Sequence, residues 1–360
     1  MTNKLWFQTG IGILLAMVII FMFQEIRGVF NPLVIVATTI FLPALLGGVL
    51  FYLTRPLMKW LESKKFPRWA SLSTVIIVIG LVFWLIYALI APVANSQVSS
   101  LVDNLPQMVK EGEKTMDFVL NQKDRLPPAA IESLENVTDK LNDYVTGFSS
   151  RLIGFVQAFV QGLFLLILVP FFLVYMLKDH EKFAPFVAGF FSGERKTWIR
   201  HTLHDLDVTL RSYIQGQLLV SFLVGVMLLI GYLIIRLDYA LLLAMFGMFT
   251  NVIPFLGPYI AVIPAIFIAF SQEPQMVIYV GIIMLVAQQI ESNFISPNVM
   301  GKALDIHPLT VITIILAAGN IAGLWGIILA IPTYAVIKTI LTNLYQKRTE
   351  IREVAGKEVD

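Results

Sequence analysis

The chain has 360 residues, 57% of them hydrophobic and only 14% charged, with a net charge of +2 and no cysteine. A soluble domain carries about 25% charged residues, so this balance argues against a water-soluble globular protein. The small net charge gives no footing for nucleic acid, and the missing thiols exclude disulfides, thiolate metal sites and cysteine nucleophiles. Several apolar runs reach the roughly 20 residues that cross a bilayer. They predict an all-α polytopic membrane protein whose first partner is the lipid bilayer.

Residues 1–91 read as three spans. Leu5 to Phe23 is longer than a signal-peptide core and no small-residue cleavage site follows it, so it reads as a retained first span. Glu25, Arg27, Asn31 and Pro32 make a turn, and Leu33 to Leu53 is span two, with Pro43, Gly47 and Gly48 inside it. Thr54 to Trp69 reads as a short polar loop carrying Arg55, Lys59, Lys64, Lys65 and Arg68 against Glu62 alone. That basic excess predicts a cytoplasmic loop and hence a cytoplasmic N-terminus. Leu72 to Ala91 is span three. Residues 92–150 differ in kind, with five Lys/Arg against nine Asp/Glu. Helical stripes at Leu101, Leu105 and Met108 and at Ile131 to Phe148 flank a turn at Leu126-Pro127-Pro128. They predict an extracytoplasmic helical segment, serving as a lid, partner surface or oligomer contact, or as a plain solvated connector.

Residues 151–177 hold span four. Residues 178–215 mix charges of both signs, and Trp198, Leu203, Leu206 and Leu210 recur at near-helical spacing, which predicts an amphipathic cytoplasmic helix lying on the inner face. His201 and His204 lie three apart there, but no third metal-ligating side chain of their kind is near, and no metal is expected. Residues 216–340 form the C-terminal membrane region. Gln217 to Ile235 is span five. Leu241 to Phe270 is apolar but interrupted by Asn251, Pro254, Gly257 and Pro258, with Pro264 following. Proline removes an amide donor and clashes with the turn before it. Such a break is tolerated in lipid only when buried in protein or lining a wet cavity. Met276 to Ile290 is a regular helix running into Glu291, Ser292 and Asn293, and Ser296 to His307 reads as a polar connection with Pro297, Gly301 and Lys302. Leu309 to Thr339 is apolar again, interrupted near Gly319 to Gly323 and by Pro332. There are thus about eight membrane segments, two of them broken and either re-entrant hairpins or discontinuous spans. Both alternatives leave the tail, residues 341–360, cytoplasmic.

Paired interrupted segments point to a transporter's binding site. No nucleotide loop, zinc motif, nucleophile elbow or cofactor fingerprint is present, so neither an enzyme nor an ATP-driven pump is expected, and no cofactor. Carboxylates inside membranes are costly and default to function. Gln288, Glu291 and Ser292 share one helical face, and Gln289 and Asn293 the next. One reading is a polar solute site, with Gln288, Gln289, Asn293, Asn251 and Asn320 as hydrogen-bond partners. A second is a site for a proton or monovalent cation, with Glu291 as the titrating group. A third is a hydrated boundary residue beside Lys302. His307, before Pro308, is a further candidate on the pathway, with hydrogen bonding of its own turn as the alternative role.

The runs NVIPFLGPYIAVIPA, QQIESNFISPNVMGKALDIHPLTVI and GLWGIILAIPTYAVIK resemble those of the AI-2E (autoinducer-2 exporter) family of bacterial membrane proteins, also called the PerM permease family. Pro254, Gly257, Pro258 and Pro264 match its broken-helix motif. Gln288 or Gln289, Glu291, Asn293, Pro297, Gly301, His307 and Pro308 match the second motif, and Gly323, Gly326 and Pro332 the last. The resemblance implies a transporter of the bacterial cell membrane, assembled as a homo-oligomer in which one part moves against a fixed scaffold. It implies export of the quorum signal autoinducer-2 or, alternatively, sodium/proton antiport. A reading of another class is a non-transporting scaffold or regulator acting through residues 92–150.

Overall fold

The structure is a computed structural model that describes residues 5–120, 169–300 and 306–357. The predicted turn at Leu126-Pro127-Pro128, the stripe from Ile131 to Phe148, most of span four, and Gly301 and Lys302 lie outside the described residues.

The described residues are all-helical, with no strand among them. The first helix, α1, covers Leu5–Glu25 and passes through a short 3-10 turn at Ile26–Phe30 into α2, Asn31–Ser63. α3 spans Arg68–Leu120, α4 Val169–Gly189 and α5 Gly193–Ile234. At 1.5 Å per residue, the 53 residues of α3 and the 42 of α5 extend about 80 and 63 Å, well beyond a hydrocarbon core of ~30 Å. Three sequence readings are refined here. Of the stretch read as a loop from Thr54, the part up to Ser63 continues α2, and only residues 64–67 leave helical geometry before α3. The helix expected around Trp198 to Leu210 is present as the first half of α5, continuous with span five. The connection after Asn293 is also helical as far as Met300. The cause is common to all three. A helix satisfies its backbone internally, so it does not stop where apolar side chains give way to polar ones.

α2 and α4 form the first packing unit, with Phe51, Met58, Leu61, Leu173 and Leu177 buried together and Val75 of α3 against them. Arg55 of α2 ties this unit to α5 by two bonds to the Asp207 carboxylate, at 2.7 and 3.1 Å.

The interrupted segment after α5 is a helical hairpin. α6, Ala240–Thr250, and α7, Leu256–Gln272, are joined by turns at 251–255. Their far ends meet: the Asp238 amide donates to Gln272 Oε1 at 3.0 Å, and Gln272 Nε2 donates to the Arg236 carbonyl at 3.1 Å. Their middles meet where Gly247 lies beside Ala261. With 11 and 17 residues, the arms reach about 16 and 26 Å, short of a full crossing. The tip needs Gly257, because a Cβ there would sit 2.2 Å from the Thr250 carbonyl oxygen. Pro258 falls within the first turn of α7, where amides have no intrahelical partner anyway. Pro264, by contrast, lies inside α7.

α8, Met276–Ile290, continues through one π-helical turn, Glu291–Ile295, into the short α9, Ser296–Met300. It runs antiparallel to α5, since Gly231 lies against Ile283 and Gly216 against Met300.

The last element, α10, Pro308–Lys357, is a second hairpin. Ala322 (φ −133°, ψ 19°) and Gly323 (φ +56°, ψ −139°) leave helical geometry. The positive φ suits glycine, which alone adopts it without a Cβ penalty. Beyond this kink Gly326 sits so close to Ala318 that a Cβ would fall 1.9 Å from its carbonyl oxygen. Val311 and Ile315 share a buried cluster with Ala330 and Ile331. Along a straight helix residues 311 and 331 would be about 30 Å apart, so the chain doubles back. Pro332 lies inside the second arm.

Candidate functional site

The two hairpins open at opposite ends of α5. The first opens where α5 ends, at residues 235–239. α8 then returns along α5, and the second hairpin begins at the other end. Its second arm runs back along the start of α5, with Thr209 and Thr339 hydroxyls 3.4 Å apart and Asn343 bonded to Thr202 and Asp205. Tip and arm meet in one apolar cluster: Ile253 from the first hairpin, Tyr213 from α5, and Val311, Ile315, Ala330 and Ile331 from the second.

Beside this cluster lies a chain of amides ending on a carboxylate. Gln217, buried on α5, donates through Nε2 to the Asn251 carbonyl at 2.7 Å. Asn251, buried at the first tip, donates through Nδ2 to Glu291 Oε1 over a long 3.4 Å. Gln288 Nε2 donates to Glu291 Oε2 at 3.1 Å. Both carboxylate oxygens thus accept from neutral amides. Among the described residues no lysine, arginine or histidine forms an ion pair with Glu291. One turn from Gln217 on the same face of α5, the buried Ser221 hydroxyl has no hydrogen-bond partner among the described residues. A buried hydroxyl without a partner is costly, so it is a ready contact for a solute or ion.

The π-helical turn starts at Glu291 itself. π turns insert an extra residue into a helix and gather at functional positions. The tip opposite carries a second irregularity, Phe255 at φ +63°, an uncommon conformation for a bulky side chain.

Of the residues singled out from sequence, Asn251, Gln288 and Glu291 are brought together. Gln289 and Asn293 are bonded to each other at 2.8 Å on an exposed face. Asn320 is exposed near the second kink, with its amide reaching the Leu316 carbonyl at 3.4 Å. His307 Nδ1 accepts from the Leu309 amide at 3.2 Å and so caps the start of α10. Gln217 and Ser221 escaped notice in the sequence, because one glutamine and one serine at the start of an apolar span read as boundary residues. The i, i+4 spacing of the two was the available signal. His201 Nδ1 lies 2.9 Å from Asp205, which also accepts from Asn343, and this cluster ties α5 to the tail of α10.

The chain matches the profile of the AI-2E family transporters over residues 11–346. It is 35% identical over 353 residues to "Putative transport protein YueF" of Bacillus subtilis, covering 95% of this chain and 94% of the relative. It is 30% identical over 350 residues to "Putative transport protein YrrI" of the same organism, with 96% and 97% covered. Against "Putative permease PerM" of Escherichia coli K12 the identity is 25% over 315 residues, with 83% and 86% covered. Helices long and apolar enough to cross a membrane, a match over nearly the whole length and relatives covered almost end to end agree with one another: the chain belongs to the AI-2E family of transporters.

Proposed function

We propose that the chain is a secondary transporter that exports a small polar metabolite through the site at Asn251, Gln288 and Glu291. The observation that carries this reading is the meeting of two oppositely directed hairpins beside one amide-bonded carboxylate. Neither hairpin arm of α6 and α7 is long enough to cross, so we read the first hairpin as re-entrant, its tip closing the pathway from one side. The second closes it from the other, and transport requires the two to part in turn. Amide donors and acceptors suit a hydroxyl-rich solute, and autoinducer-2, which gives the family its name, is of that class. The protein sits in the bacterial cell membrane with both termini cytoplasmic, works as a homo-oligomer and catalyses no reaction. Purified chain in liposomes is expected to move labelled autoinducer-2 or a related small polyol; movement of neither overturns the reading.

One observation favours a second reading, exchange of sodium for protons. Glu291 has no cationic partner among the described residues, so a bound monovalent cation or a proton would supply its counter-charge. In that case sodium collapses a pH gradient across vesicles holding the wild-type chain and leaves it intact with Glu291→Gln.

A further inference from the structure

The contact of Arg55 with Asp207 belongs to a longer polar seam between α2 and α5. Tyr52, Arg55, Lys59 and Glu62 recur at steps of three and four residues on α2 and so share one face. Arg200, His204, Asp207, Arg211 and Gln215 do the same on α5. The two faces meet where Gln215 Nε2 donates to the Tyr52 carbonyl and Arg55 Nη1 to the Asp207 carboxylate. The helices are therefore antiparallel, and the faces run on to Lys59 and Glu62 on one side and His204 and Arg200 on the other, all exposed. The seam begins where both apolar runs end. On its membrane side Leu53 of α2 and Leu219 and Phe222 of α5 are large and exposed. From Tyr52 to Glu62 α2 rises about 15 Å, enough to pass through a headgroup layer about 5–8 Å deep.

The seam is short of negative charge. It carries four permanent cations, Arg55, Lys59, Arg200 and Arg211, against two carboxylates, Glu62 and Asp207. Asp207 is taken by Arg55 at 2.7 Å, and Arg211 stands off it at 3.8 Å. Among the described residues Lys59 and Arg200 form no ion pair, and Arg211 makes no hydrogen bond. The buried Nε–H of Arg55 also has no acceptor among them. The seam thus lacks acceptors as well as charge. A phosphate group supplies both, since its oxygens match the guanidinium fork. Basic clefts between membrane helices hold lipid headgroups for the same reason. The exposed apolar side chains at the membrane end favour a phosphate that brings acyl chains with it over a free ion.

We propose that the seam between α2 and α5 binds the phosphate headgroup of an anionic phospholipid, with Lys59, Arg200 and Arg211 as its cationic contacts. The site is separate from Glu291 and does not depend on the transport reading. The test uses the full-length chain in dodecyl maltoside micelles, titrated with dioleoyl phosphatidylglycerol or with dioleoyl phosphatidylcholine, which has the same chains and no net charge. Phosphatidylglycerol is expected to raise the thermal midpoint saturably, as a ligand selective for the native state does, and phosphatidylcholine is not. Arg211→Gln and, separately, Lys59→Gln combined with Arg200→Gln should each raise the half-saturating phosphatidylglycerol at least fivefold. Lys64→Gln combined with Lys65→Gln removes two cations from the turn after α2, outside the seam, and should change it less than twofold. Equal stabilisation by phosphatidylcholine overturns the proposal. So does a loss in the Lys64 and Lys65 variant as large as in the seam variants, which would make the attraction diffuse. Stabilisation by inorganic phosphate as strong as by phosphatidylglycerol overturns the lipid as occupant, and absence of any saturable effect overturns the site itself.

Discussion

On the proposed reading Glu291 carries the chemistry of the site, because among the described residues its hydrogen-bond partners are the neutral amides of Asn251 and Gln288. A carboxylate so bonded is held in place without its charge being cancelled. Glu291→Gln keeps the shape and one acceptor oxygen but removes the charge. We expect transport in liposomes to fall at least tenfold while the thermal midpoint in detergent stays within a few degrees. Unchanged transport would place the pathway elsewhere. The backbone at the first tip is as exacting as the side chains. Gly257→Ala drives a methyl into the Thr250 carbonyl, and overpacking of this kind costs about 1–3 kcal/mol. Gly281→Ala, on α8 with open space around it, should be neutral or gain up to about 1 kcal/mol of helix propensity. Denaturation of the two variants in the same detergent compares them directly.

Among elements, α2 and α5 are joined by an ion pair across the two packing units. Arg55 Nη1 donates to both carboxylate oxygens of Asp207, and Arg211 Nη2 lies 3.8 Å from Asp207 Oδ2. Charge-assisted bonds of this kind are worth about 1.5–3 kcal/mol, and the partial exposure of Asp207 points to the lower end. Arg55→Met should cost that much in the wild-type background and clearly less when Asp207→Asn is already present. Equal losses in both backgrounds would show that the contact carries little coupling energy. The breaks themselves were legible from residue chemistry: Pro254 stands in the turn at 251–255, Gly257 and Pro258 open α7 just beyond it, and Gly319 to Gly323 bracket the actual kink at Ala322 and Gly323. What the residues did not disclose was the direction after each break, since apolar periodicity is the same for a helix that continues and one that doubles back. The evidence for doubling back is tertiary: Gln272 reaching Arg236, and Gly326 against Ala318. The overrun of α2, α3 and α5 past their apolar stretches was illegible for a related reason, as polar residues extend a helix as readily as they end it. The π turn at Glu291 leaves no compositional trace at all.

For the whole molecule, α5 is the ruler against which the other parts are set. α6 and α8 both run antiparallel to its second half, and the second arm of α10 runs antiparallel to its first half. The tip of the first hairpin therefore meets the arms of the second, which approaches from the opposite end, beside Tyr213 and Gln217. That geometry accounts for the sequence pattern of two interrupted apolar segments flanking one regular helix. On the proposed transport reading, solute passes only when Ile253 and the second hairpin separate. The most direct measurement uses the chain's lack of native cysteine. With cysteines placed at Ile253 and Ile315, both in the cluster between the hairpins, oxidation should join the two and reduce transport in liposomes at least tenfold, and a reductant should restore it. Full transport by a quantitatively cross-linked protein would contradict the account.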